Sequence, residues 1–426
     1  MSAIKKLHAL EILDSRGRPT VKAWCELENG MVAAASVPSG ASTGSAEALE
    51  LRDGEVRYRG LGCRKAVSHI NLELNETLKG RDFGHQSDLD QMMLELDGTP
   101  NKSRLGANAI LAVSLAFARA VAQENNLPLY QYFANLLERS LETLPMPTIN
   151  LFSGGRHAGG QVAFQDVLVI PVSARTIAQA LEMTYAVYRT ASERISRRYK
   201  VRELRADEGG LAPPFESVEV MLEEAVAAIR DAGFKPGTEI SLAVDVAASH
   251  FYSGSHYQLD ARAFTSPEMI EYLSGLIDQF PIISLEDGLA EEDWEHWRLL
   301  HQRLASRSLV LGDDFLCTNP NRITRAISSK SANALLLKVN QIGTLSEASQ
   351  AADLARAAGW HITVSARSGE TEDDWLADLA VAWGQQIKVG SITQSERLAK
   401  YNRLLEIEAD TGLPITPLTH PMVLSG

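Results

Sequence analysis

The chain is poor in cysteine, carries no excess of basic charge and has no hydrophobic run long enough to cross a bilayer. Cys25, Cys63 and Cys317 lie far apart with no Cys-x-x-Cys pair, which argues against a disulfide framework or a thiolate zinc site and points to a reducing cytoplasm. Lysine and arginine number 41 against 54 acidic residues, a net charge of −13, so the basic surface on which nucleic-acid binding depends is missing. The opening segment MSAIKKLHALEILDSRGRP has no apolar stretch of signal-peptide length. The most apolar stretch, Ala107 to Ala122, is interrupted by Asn108, Ser114 and Arg119 and falls short of the roughly 20 residues of a membrane span, so it reads as a buried helix. Neither nucleic acid nor membrane is expected as a partner. No internal repeat or low-complexity segment stands out.

What is present fits two domains, one of barrel size: 426 residues, 45% of them hydrophobic. Residues 3 to 37 alternate polar and apolar, with Glu28-Asn29-Gly30 where a hairpin turn belongs, which predicts an antiparallel meander. Helical periodicity follows over Val67 to Leu78, Ser87 to Leu96 and Ser103 to Asn125. These segments form an α+β domain over residues 1–140, with a linker near Leu144-Pro145-Met146-Pro147 and a second domain over 141–426. There Thr148 to Phe152 and Val167 to Val172 follow each other without a long helix between them. Regular strand and helix alternation begins only after a helix at Ala174 to Lys200, which predicts an irregular start to the barrel.

Six short apolar runs then carry the chemistry: LAVDVAAS, IISLEDG, LVLGDDF, LLLKVN, ITVSARS and QIKVGS. Such runs, bounded by polar residues and followed by amphipathic stretches, mark buried parallel strands. Their repetition predicts a (β/α)8 barrel whose functional groups gather at the C-terminal strand ends. Asp245, Glu286, Asp313, Lys338, Arg367 with Ser368, and Lys388 would then share one mouth. One acid at a strand end is best read as a cap for the next helix; three in register favour a hard cation such as Mg²⁺, which takes oxygen ligands. A lysine closing a buried strand is rarely unpaired. Either lysine alone could be a structural partner of an aspartate, but two facing a carboxylate-rich mouth suit one base and one anion clamp. Neighbouring cations would depress the base toward neutrality. Glu208, in Asp207-Glu208-Gly209-Gly210, is a candidate acid or base opposite the lysine. Two glycine-containing loops, around Ser39 to Gly44 and Ser153 to Gly160, read on spacing alone as flexible. Basic residues from Arg194 to Arg202 read as a solvated helix end.

In order along the chain, DSRGRPTV, PSGASTG, EALELRDG, NKSRLGANAILAVSLAFARA, DEGG, SLEDGL, GDDF, LLLKVNQIGTLSE, SARSGETED, KVGS and AKYNRLLEIE closely resemble the enolase (phosphopyruvate hydratase) family, over nearly all the chain except the last dozen residues. The resemblance implies an enolase-type barrel behind an α+β domain. It also implies Mg²⁺, two ions per active site during turnover, and a homo-oligomer, dimer or octamer, acting on a small phosphorylated carboxylic acid. By position it makes Asp245, Glu286 and Asp313 ligands of one Mg²⁺ and Ser42 a contact of the second. Lys338 becomes the base and Glu208 the acid, Arg367 and Ser368 the phosphate site, and Lys388 the carboxylate site, with His157 and Gln165 lining it. Three departures stand out. Ala366 replaces the family's histidine in SHRSGE, Asp166 shortens the catalytic glutamate of QEF, and Arg156 precedes His157 in GGRHA. Three functions follow as expectations: a working enolase, a relative handling another leaving group, as the carboxyphosphonoenolpyruvate synthases do, or a binding protein on an inactive scaffold. Retention of the charged set disfavours the last.

Overall fold

The computed structural model describes residues 3–41, 44–259 and 262–418. The alternating N-terminal segment forms three antiparallel strands in sequence order, β1 (Ile4–Leu13), β2 (Pro19–Leu27) and β3 (Val32–Ser36). Gly30 turns the chain between β2 and β3 at φ 89°, a conformation that costs glycine little. Val21, Ala23 and Cys25 of β2 are fully buried because the helix Ala107–Glu124, the apolar stretch of the sequence, lies across the sheet. No described helix is long and apolar enough to cross a membrane.

The expected helix at Val67 to Leu78 is a helical run from Arg64 to Leu78 that widens into a π turn at Ile70–Leu74. From it Asn75 and Asn71 accept the backbone N–H groups of Leu7 and Ala9, each at 2.7 Å. These bonds occupy the outer edge of β1, whose free backbone would otherwise invite pairing with another chain.

The six apolar runs become β6 (Ser241–Asp245), β9 (Ile282–Glu286), β10 (Leu309–Gly312), β11 (Ala334–Leu337), β12 (His361–Ser365) and β13 (Gln386–Lys388). A small hairpin, β7 (Tyr257–Leu259) with β8 (Arg262–Phe264), sits between β6 and β9 outside the barrel. With β4 (Met146–Ser153) and β5 (Asp166–Ile170), the six close a barrel in the order β10-β11-β12-β13-β4-β5-β6-β9. Met146 and Pro147, expected in a linker, already belong to β4.

β5 runs antiparallel to both its neighbours. The segment between β4 and β5 holds no crossover helix, and a parallel return needs one, so the chain can only double back. The reversal has a chemical consequence: the first residue of β5, Asp166, lies beside Asp245, the last of β6, and Asp245 lies beside Glu286, the last of β9.

Trp297 is fully buried and stacks, with centroids 4.0 Å apart, on Phe315, which follows Asp313 and Asp314 in the chain. Trp297→Ala should lower the unfolding free energy by about 3–5 kcal/mol. Urea titration monitored by circular dichroism measures this, and an unchanged midpoint would show that the stack carries no stability.

Candidate active site

Asp245, Glu286 and Asp313 are all buried at neighbouring strand ends, and each faces an ammonium group. Lys388 Nζ lies 2.9 Å from Asp245 Oδ2 and 2.8 and 2.7 Å from the two oxygens of Glu286. Lys338 Nζ lies 2.5 Å from Asp313 Oδ2, and Gln341 Nε2 donates to Asp313 Oδ1 at 2.8 Å. Burial alone would lower both lysines, but Asp313 raises Lys338, and Asp245 with Glu286 holds Lys388 well above its ordinary value. Arg367 and Lys388 lower Lys338, as expected of neighbouring cations, but Asp313 is closer and outweighs them here. Lys388, expected to bind a substrate carboxylate, here binds two of the protein's own.

The carboxylates respond unequally. Burial raises Asp245, yet Lys388 outweighs it and brings the group down to about 2. Burial and then Asp245 push Glu286 well up, the signature of negative charges crowded with too little compensation. Gln165 donates Nε2 to Asp245 Oδ2 at 3.2 Å, while its buried Oε1 has no partner among the described residues. Three buried carboxylates, a spare amide oxygen and a carboxylate held above its ordinary range fit a hard divalent cation.

A second acidic group was missed by sequence reasoning. Asp287 and Asp314 place carboxylate oxygens near Asp313, and Asp287, at φ 44°, accepts the backbone N–H groups of Asp313 and Asp314 at 2.8 Å each. Burial, then Asp313, raises Asp314 to about 7. The doubled acids of Glu286-Asp287 and Asp313-Asp314 were the available signal.

On the reversed-strand side, Asp166 Oδ2 meets His157 Nδ1 at 2.9 Å and Ser153 Oγ donates to Asp166 Oδ1 at 2.6 Å. His157 Nε2 stands 3.8 Å from Glu208 Oε1, and Asn150 Nδ2 donates to Glu208 Oε2 at 3.2 Å. Burial opposes charge on His157, but Asp166 and Glu208 raise it to about 9. Glu208 is lowered despite its burial, chiefly by His157 and then Arg397. The loop expected to be merely flexible delivers His157 into the site through a short turn at Gly155–His157. It folds tightly there: a Cβ at Gly154 would meet Val162 Cγ2 at 2.4 Å and the Phe164 carbonyl at 2.5 Å.

Arg367 is buried and forms a two-pronged pair with Glu47, at 2.9 and 3.2 Å, with Asn340 Oδ1 at 3.2 Å. Ser368 Oγ accepts from Arg16 at 3.0 Å. Arg397 fixes this segment by donating to the carbonyls of Arg367 and Ser368 at 2.7 Å each and of Val389 at 3.2 Å. Glu47, Arg16 and Arg397 were quoted or passed over in sequence without a role, because only the fold brings them together. Ala366 is buried beside Arg367 and offers only its methyl group. Ser42 lies outside the described residues. The basic helix end is neutralised in part by Glu224, Asp231 and Glu216, which pair with Arg194 and Arg198.

Residues 4–133 match the family described as Enolase, N-terminal domain, and residues 141–415 match Enolase, C-terminal TIM barrel domain.

His157 rises from 6.5 to about 9 on folding. A raised group contributes stability that is fully present below its unfolded pKa, so the contribution, on the order of 3 kcal/mol, should persist below pH 6.5 and vanish as pH passes 9. Denaturant titrations from pH 6 to 10 in the presence of a chelator should show this decline in the parent and a flatter one in Asp166→Asn. Equal slopes would exclude the His157–Asp166 pair as its source.

Proposed function

This chain belongs to the enolase family, and from that premise we propose that it is a Mg²⁺-dependent lyase interconverting 2-phosphoglycerate and phosphoenolpyruvate. One observation carries the reading: a single barrel mouth gathers a buried lysine on a carboxylate, a second lysine, a buried arginine and three carboxylates suited to a divalent cation. Asp245, Glu286 and Asp313 would hold Mg²⁺, and Ser42 would meet a second ion. The metal supplies fixed positive charge against the carboxylate next to the carbon acid.

The protein's own groups do the rest. Lys338 removes the α-proton once Asp313 no longer holds its ammonium form. Lys388 receives the substrate carboxylate, and Arg367 with Ser368 receives the phosphate, which must replace Glu47 on the guanidinium. Burial of all these groups excludes water and strengthens each charge contact. The site's place in the cytoplasm, in a dimer or octamer, belongs to the same proposal. Three buried free cysteines support a reducing compartment.

A second reading follows from Ala366, which offers no polar group, and Asp166, which is committed to His157 and Ser153. Both alter the surroundings of the departing group and leave the base and anion sites in place. A relative acting on another phosphorylated or phosphonylated acid, as carboxyphosphonoenolpyruvate synthases do, fits that pattern.

Absorbance at the enolpyruvate band with Mg²⁺ and 2-phosphoglycerate, beside α-proton exchange in D₂O, separates the two: turnover supports the first, and exchange without elimination supports the second. Lys338→Ala should abolish exchange while leaving the circular dichroism spectrum intact; exchange at the parent rate would remove Lys338 as base. Ala366→His combined with Asp166→Glu should raise hydratase activity, and no gain would show that these positions are not limiting.

A further inference from the structure

We propose that Arg139 and Arg356 form a binding site for a small phosphate-like oxyanion on the face of the barrel opposite its mouth. The site is separate from the lyase chemistry and does not depend on it.

A cavity of about 160 Å³ there is lined by Arg139, Ser140, Thr143, Arg356, Gly384 and the exposed Glu142. Thr143 comes just before β4 and Gly384 just before β13, which places the cavity at the N-terminal strand ends. Arg356 stands in the last turn of the helix Leu345–Ala357. Its Nη2 donates to the Trp383 carbonyl at 2.8 Å, but its Nε and Nη1 are buried and have no hydrogen-bond partner among the described residues. The carboxylate paired with it, Asp353 Oδ1, lies 3.8 Å from Nη1, beyond hydrogen-bond reach, on a side chain that is mostly exposed. The half-buried Arg139 side chain makes no hydrogen bond or ion pair among the described residues.

Two neighbouring guanidinium groups without acceptors are costly, because N–H groups lose water and the charges repel. Burial, then Arg139, brings Arg356 down to about 10. Asp353, Glu138 and Glu142 add negative charge nearby, but none of them accepts a hydrogen bond from either arginine. Arg356 does have a structural role. Its own helix and the helix Trp375–Trp383 both end here, and a cation suits C-terminal carbonyls. That role uses Nη2 alone; it leaves Nε and Nη1 unbonded and gives no reason for a second arginine. A tetrahedral dianion answers both, since its oxygens accept from two forks at once and its charge matches two guanidinium groups. A lone carboxylate would match one.

The consequence of binding follows from the place of Arg139. It belongs to the connection, residues 137–145, between the helix Leu129–Leu136 and β4. The far end of that connection is held: Leu144 exchanges backbone bonds with Pro414 and Thr416 at 2.8 Å each, and the Thr143 hydroxyl bonds that of Thr416 at 2.7 Å. Ser140 and Glu142 make no hydrogen bond among the described residues. An anion shared by Arg139 and Arg356 fastens this near half to the helix Leu345–Ala357, so the bound protein is the more stable one.

Thermal unfolding of the full chain, with parent, Arg139→Met and Arg356→Met compared in sodium chloride and in inorganic phosphate of equal ionic strength, tests the site. Phosphate stabilises proteins generally by exclusion from their surface, and any phosphate at Arg367 is common to all three proteins, so the difference between parent and variants is what counts. Arg139→Met is the decisive variant, because no hydrogen bond of the fold is lost with it. In chloride it should unfold at or above the parent's Tm, a repelling charge having gone. In phosphate the parent's Tm should rise further than that of either variant, and calorimetry should show this phosphate site weakened about tenfold or more in each. Acetate should produce no such difference. Crystals soaked in selenate should hold the anion between the two guanidinium groups. An equal phosphate response in parent and Arg139→Met would overturn the proposal, as would selenate at Arg367 alone. Equal destabilisation of Arg139→Met in both buffers would make Arg139 a structural residue instead. A changed sedimentation coefficient in Arg139→Met without a phosphate effect would assign the arginines to an interface between copies of the chain, and would equally overturn it.

Discussion

The structure depends on compensating negative charge at the barrel mouth. Asp245, Glu286 and Asp313 are buried within one rim, where isolated carboxylates would be strongly disfavoured. Lys388 answers the first two and Lys338 the third. The compensation is incomplete, since Glu286 is still pushed well up. A rim of this kind is poorly suited to stability alone, because apolar residues of similar size would usually serve as well. Its charges are better explained by ligands that rearrange them.

The strand ends were legible because each run of four or five buried aliphatic residues finishes in a polar one, and a parallel barrel sends all such ends to one mouth. That rule located Asp245, Glu286, Asp313, Lys338, Arg367 and Lys388 on sequence pattern alone. It could not locate Asp166, which opens its strand and reaches the mouth only because β5 runs backwards. Only the resemblance had drawn attention to it. The absence of a long helix before β5 hinted at irregularity, but the pairing direction is a tertiary property that no local pattern encodes.

The remaining misses share a physical cause. Glu47, Arg16 and Ser39 sit in the N-terminal part of the chain, hundreds of residues from Arg367 and Ser368, and periodicity says nothing about such encounters. Backbone bonds between Ser39 and Gly369 at 2.8 and 3.0 Å, and from Ser15 to Glu370 at 2.7 Å, bring that part over the mouth. Arg119 adds a charged link to Asp373 and Asp374. The balance of charges on Lys338 was illegible for a related reason: sequence shows which charges are present, while the 2.5 Å separation from Asp313 belongs to the fold.

The pair between Arg367 and Glu47 makes the protein its own competing ligand. Both side chains are almost wholly buried, so an incoming anion does not find a bare guanidinium; it meets one already satisfied by a monovalent carboxylate. A group bearing one negative charge and two oxygens gains little by exchange. A dianion with three oxygens offers more charge and more acceptors in the same space. If Arg367 receives the phosphate as proposed, Glu47 would set a threshold, built into the N-terminal segment, that favours phosphate-like groups over simple carboxylates.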